Sequence, residues 1–322
     1  MTSAPTSEWG RRLSDALRAT LESDDLARAR LLVLEGDGQA RSLAKEYTFM
    51  YRGLGITIQV LLRLLAGLPD GVSTAPMVRR FSDDLARLSL MQSEPEEARV
   101  LEQSRAWFER EQARIADEIL HAIDAADCAL AIALLEAKNN QYLQLHDRLV
   151  SFMAESFAWV LQHHGPAALL EFHIATAEGQ RAGFDKWERM PAAEFAWTSA
   201  FLLKQHMGQV LVREDAEKFT IEQTPCGSGG RLQLTGAYAG PQALPFVEAP
   251  GPLTFGEPRL PVYCSHCPVW NGVAPLRWFG RAHWVFENAA RPDGSCTLHI
   301  YKKHDGTPPA YADRLARAQG DE

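Results

Sequence analysis

Apolar residues recur every three or four positions from Ser7 to Gln209, and beyond Gln209 they tend to alternate. Leu13, Leu17 and Leu21 form one stripe along a first helix, because side chains four apart share a helix face. Ser23-Asp24-Asp25 offers N-caps for a second helix ending near Glu35, and Gly36-Asp37-Gly38 breaks the pattern. A longer apolar stretch over 40–68 contains Gly53 and Gly55 as kinks and stops at Leu68-Pro69-Asp70-Gly71. The spacing predicts further helices over 76–91, 95–125, 128–163, 166–186 and 191–209, several with proline in the first turn, where its missing N–H costs nothing. Seven or eight helices joined by short loops make a bundle. The segments Asp24-Asp25-Leu26-Ala27-Arg28-Ala29 and Ala126-Asp127-Cys128-Ala129-Leu130-Ala131 both precede Leu-rich helices, a faint internal repeat.

After Gln209, Phe219-Thr220-Ile221 and Leu232-Gln233-Leu234 read as strands around a Pro225-Cys226-Gly227-Ser228-Gly229-Gly230 turn. Pro261-Val262-Tyr263-Cys264, His283–Phe286 and Cys296–Tyr301 read as three more, with a Pro/Gly-rich loop over 236–258. The expected fold class is α+β: a helical bundle domain over 1–209, then a cysteine-rich α+β domain with a small antiparallel sheet over 210–322.

Composition narrows the function classes. Apolar residues at 46% and charged residues at 23% are those of a globular chain able to bury a core. A net charge of −8 argues against nucleic acid as a partner, since phosphate neutralisation needs a basic surface. The richest apolar run, Leu54–Leu68, is interrupted by Gln59 and Arg63 and falls short of the ~20 residues a bilayer demands. The polar start, Met1–Arg12, lacks a signal-peptide core, so a cytoplasmic location and reduced thiols are expected. A small-molecule substrate is the expected partner, and nothing in the pattern fixes an oligomeric state.

The first 225 residues hold one cysteine, Cys128, while Cys226, Cys264, Cys267 and Cys296 all lie in the remainder. Cys264-x2-Cys267 places two thiols on one turn, where both can reach a tetrahedral ion. A zinc held by Cys226, Cys264, Cys267 and Cys296 is one reading, with His266 or His283 as substitute ligands. Catalysis by a thiolate is another: Cys264 as nucleophile, Cys226 as a second thiol, and His266 or His283 carrying the proton. Backbone N–H groups of Gly227, Ser228, Gly229 and Gly230 offer an anion nest, and Arg231 a partner for a substrate carboxylate. Two other readings stay open: an accessory protein with a structural zinc, and soft-metal or organometal handling.

Cys226, Tyr263-Cys264 and Gly294-Ser295-Cys296, with Leu298 and Ile300 on the following strand, resemble the L-2-amino-thiazoline-4-carboxylate hydrolase-like family and the ligand-binding domains named after vinyl reductase. The resemblance covers about the last hundred residues and implies a small-molecule site built from Cys226, Cys264 and Cys296, with thiol-dependent hydrolysis of a small ring or amide. In that family an aspartate stands three residues after the middle cysteine; Cys267 occupies the position here, which favours metal binding over a Cys/Asp mechanism.

In the helical part, Glu118-Ile119-Leu120-His121 has the Glu-x-x-His spacing of carboxylate-bridged di-iron bundles. No second such motif occurs, so a solvated helix face is the simpler expectation; Glu46, His146 and His173 are reserve ligands. The aromatic-rich segment Ser151–Phe201 is expected to be core or the lining of an apolar pocket.

Overall fold

In the computed structural model the described residues are 5–35, 60 and 97–316, with side chains not described at 97–109, 145 and 316. The helices expected over 40–68 and 76–91, and Glu46, lie outside the described residues, apart from helical Val60. The chain forms two compact units. Among the described residues one holds 12–35 and 97–149, the other 5–11, 60 and 150–316. The helices that follow Val150 thus belong with the sheet rather than with the first helices, and the units do not divide at Gln209.

The first unit contains α1 (Leu13–Glu22), α2 (26–35), α3 (Glu97–Asp124) and the start of α4 (Cys128–Gly179). The internal repeat is a structural one. Asp24 and Ala126 both adopt positive φ, 57° and 56°. Asp25 N–H closes on Thr20 O and Asp127 N–H on Ala122 O, ending the helix behind. The same two aspartates then cap the helix ahead, Asp25 accepting from Arg28 N–H and Asp127 from Leu130 N–H. The core repeats at the same offset of 102 (127 − 25): Leu17, Leu21, Ala29 and Val33 are buried, and so are Ile119, Ile123, Ala131 and Leu135.

In the second unit α4 continues to Gly179, broken at Gly165 (φ 79°) before Pro166, where the expected helices meet. Then come α5 (Arg181–Glu188) and α6 (Ala192–Gln205). A four-stranded antiparallel sheet follows, in the order β1 (Val210–Glu214), β2 (Lys218–Gln223), β6 (Cys296–Tyr301), β5 (Val285–Asn288). Phe219, Ile221, Leu298 and Ile300 are buried on one face by the period-2 alternation. α6 packs on β1, β2 and β6 through buried Phe195, Ala196, Ser199 and Ala200. Trp284 Nε1 donates to Ser199 Oγ at 3.0 Å.

Two expected strands are helical or nearly so. Leu232–Leu234 lies in α7 (Gly229–Leu234). Only Leu260–Pro261 of the segment ending at Cys264 is a strand, β4, paired with β3 (Phe246–Val247). Val262–Ser265 turns at once into a 3-10 helix, followed by a short α-turn (His266–Pro268), a π-helix (Val269–Val273) and α8 (Ala274–Phe279). The α9 helix (Pro309–Ala316) packs on the π-helix. Among the described residues no helix is long and apolar enough to cross a membrane.

Candidate functional site

The chain brings its C-terminal cysteines together from three places in the second unit. Cys226 follows β2, and its N–H donates to Gly294 O at 2.9 Å, beside Cys296 at the start of β6. Cys264 and Cys267 lie on the helical turns after β4. Burial, and then charge on Cys267, Cys226 and Cys296, pushes the Cys264 thiol well up. Burial and charge on Cys226 and Cys296 do the same to Cys267. Cys296 is pushed up to about 12, by burial first and by Cys226 second. In this apolar setting a second negative sulfur is strongly opposed, so the resting state of Cys264, Cys267 and Cys296 is the neutral thiol.

The glycines next to Cys226 hold the cluster closed. A Cβ on Gly229 would stand 2.5 Å from Cys264 Sγ, one on Gly230 2.2 Å from Gly294 O, and one on Gly227 2.1 Å from His206 O. These glycines serve close packing, and all three are buried. Arg231 donates to His206 O at 2.8 Å.

His266 supplies the imidazole. Its Nδ1 hydrogen-bonds the Tyr263 carbonyl, an acceptor, so Nδ1 carries the proton and Nε2 is bare. Nε2 lies 3.5 Å from Cys267 Sγ, positioned to accept from the thiol. Burial holds the His266 pKa down to about 4, with the Tyr263 carbonyl opposing and His206 adding to the shift. His206, at the end of α6, reaches Ser228 Oγ through Nδ1 at 3.2 Å. Tyr263 hydrogen-bonds Ser228 as well, and Tyr238 Oη accepts from Tyr263 N–H at 3.2 Å.

α4 forms the back wall. Phe157 stacks on Tyr263 and meets His173 edge-on. Ser265 Oγ donates to Val262 O and therefore accepts from His173 Nε2–H at 2.9 Å. His173 is fully buried and its pKa well lowered, by desolvation first and His266 second.

His283 is elsewhere in the unit. Its Nε2 donates to Glu188 at 2.9 Å and its ring stacks on Phe279; none of its described contacts is a thiol. In the other unit Glu118 pairs with Arg114 and His121 is exposed, the solvated helix face expected. His146 is buried and bonded to Asp147. His206 and Tyr238 were not singled out by the sequence pattern, since both reach the cluster through tertiary contacts.

Four sulfurs suit zinc as a donor set. Among the described residues, however, no three His, Cys, Asp or Glu side chains are grouped so as to hold one ion. No family model, no curated protein and no solved structure matches the chain.

Proposed function

We propose that this chain is a thiol-dependent enzyme acting on a small molecule with an electrophilic carbon, with Cys267 as nucleophile and His266 as its base. One observation carries the reading: Cys267 Sγ faces the bare Nε2 of an imidazole whose tautomer is fixed by the Tyr263 carbonyl, the nucleophile–base–orienter arrangement of covalent catalysis. Thiol and imidazole both start neutral, so the proton moves to Nε2 as the carbon–sulfur bond forms. It then passes to the leaving group, and water releases the product with His266 again as base. In this reading Cys264 and Cys226, expected as nucleophile and second thiol, are the neighbouring thiols packed against Gly229 and Gly230. Arg231, five positions after Cys226, would take a substrate carboxylate.

The resemblance of about the last hundred residues to the thiazoline hydrolase-like family supplies the trial substrate, L-2-amino-thiazoline-4-carboxylate, whose ring opening releases a thiol. Turnover is expected to vanish in Cys267→Ser and to fall roughly 100-fold in His266→Gln, while Cys264→Ser keeps a measurable rate. Full activity in Cys267→Ser would sink the assignment. The competing reading is a four-cysteine zinc, favoured by the mutual coupling of the thiols. Stoichiometric zinc in the purified protein, with Cys226, Cys264, Cys267 and Cys296 all silent to a thiol reagent, would replace the catalytic reading with that one.

A further inference from the structure

The sheet carries a second constellation on the face opposite Cys296, Leu298 and Ile300. Thr220 on β2 stands directly across from His299 on β6, with Oγ1 3.0 Å from Nδ1. His299 Nε2 lies 3.0 Å from Glu287 Oε2. Glu287 sits where β5 slips register between Phe286 and Asn288, a bulge of the kind that re-aims a side chain.

A carboxylate can only accept, so Nε2 carries the imidazole proton and Nδ1 is a bare acceptor facing the Thr220 hydroxyl. The hydroxyl proton therefore already points at the base. His299 is 2% exposed, while Thr220 is only partly buried and Glu287 half exposed. Burial, and then Lys218, lower the His299 pKa, with Glu287 opposing, so the imidazole rests unprotonated at Nδ1. Charged side chains of both signs share this face, and Glu222, two positions after Thr220, pairs with Arg213 at 3.1 Å. Arg213 is the cross-strand partner of Thr220 on β1, and residues directly opposite share a face. Lys218 is two positions earlier on β2, on the same face.

We propose that Thr220, His299 and Glu287 form a second reactive centre, independent of the thiol cluster, in which Thr220 is the nucleophile toward esters. In the step, Thr220 Oγ1 bonds to the ester carbonyl carbon and its proton passes to His299 Nδ1. The carbon–alkoxide bond breaks and the alkoxide leaves with that proton. Water, deprotonated by the same nitrogen, then cleaves the acyl–threonine bond, so one ester and one water yield one acid and one alcohol. Glu287 holds the imidazole in the required tautomer throughout, a positioning residue in the manner of the hydroxyl–imidazole–carboxylate triads.

The test uses an alkyl fluorophosphonate on the full chain, because displacement of fluoride by the threonine oxygen leaves a stable adduct. Peptide mass spectrometry should place the adduct at position 220. Labelling should slow roughly 100-fold in Thr220→Val and in His299→Gln and persist unchanged in Cys267→Ser, which separates this centre from the thiol reading. Thr220→Ser, which keeps the hydroxyl, should retain the adduct and guards against misfolding of the valine variant. No adduct on the wild-type chain, an adduct at any other residue, or undiminished labelling in His299→Gln overturns the proposal.

Discussion

Gly229 carries no side chain where the Cys264 sulfur fills the space: a Cβ would stand 2.5 Å from Sγ and 3.3 Å from the Tyr263 ring. Gly229→Ala should therefore cost about 1–3 kcal/mol, the range for forcing an atom into a packed site. Cys264→Ala removes the obstructing atom, so the double variant should lose less stability than the two single changes summed. Urea unfolding of the three variants measures this, and strict additivity would show that the contact is not what keeps position 229 bare. The same glycine shows what the amino-acid string reveals at this scale. Thiols are scarce enough in the chain that spacing alone pointed to Cys226, Cys264, Cys267 and Cys296 as the place to look. The reason for the glycines was not, because a flexible turn and a close approach use the same residue; only the sulfur lodged against Gly229 tells them apart. His206 and Tyr238 were illegible for a related cause: each meets the cluster through contacts between segments distant along the chain, and neither belongs to a motif.

Elements were legible where one periodicity ran long enough to bury a continuous face. α1, α3 and the two halves of α4 follow their apolar stripes, and the break at Gly165-Pro166 was visible as composition. Leu232-Gln233-Leu234 misled, since three alternating residues fit either period and the glycines before them let the chain close into α7. The repeated helix junction permits a sharper claim. Asp25 and Asp127 cap their helices with the same geometry, at 3.1 and 3.0 Å, so each change to alanine should destabilise the first unit by about 1 kcal/mol. Ala126→Gly should act the other way, by about 0.5–1 kcal/mol, because alanine sits at φ 56° where glycine is unstrained. Helix content followed through urea unfolding measures both. A cost at one aspartate and none at its counterpart would show the two junctions to be unequal despite their matching hydrogen bonds.

At the scale of the whole molecule, the division into two compact units predicts how the chain comes apart. Each unit has its own buried set: Leu17, Leu21, Ile119 and Ile123 in one, and Phe157, Phe172, Phe219 and Leu298 in the other. The chain has eight tryptophans; Trp107 alone belongs to the first unit, while Trp9, Trp159, Trp187, Trp197, Trp270, Trp278 and Trp284 belong to the second. Indole fluorescence therefore reports mainly on the unit with the thiols, whereas far-ultraviolet circular dichroism reports on helices in both. Two cooperative units violate the single-transition approximation, so the two signals should have different midpoints in urea. The variants assign the transitions: Gly229→Ala should move the fluorescence midpoint and leave the other step in place, and Asp127→Ala should do the reverse. Coincident midpoints that every variant shifts together would mean that α4, which runs through both units, couples them into one cooperative body. In that case the cost of a closed thiol cluster would be borne by the whole chain, and a change near Cys264 would be felt as far away as the Asp127 cap.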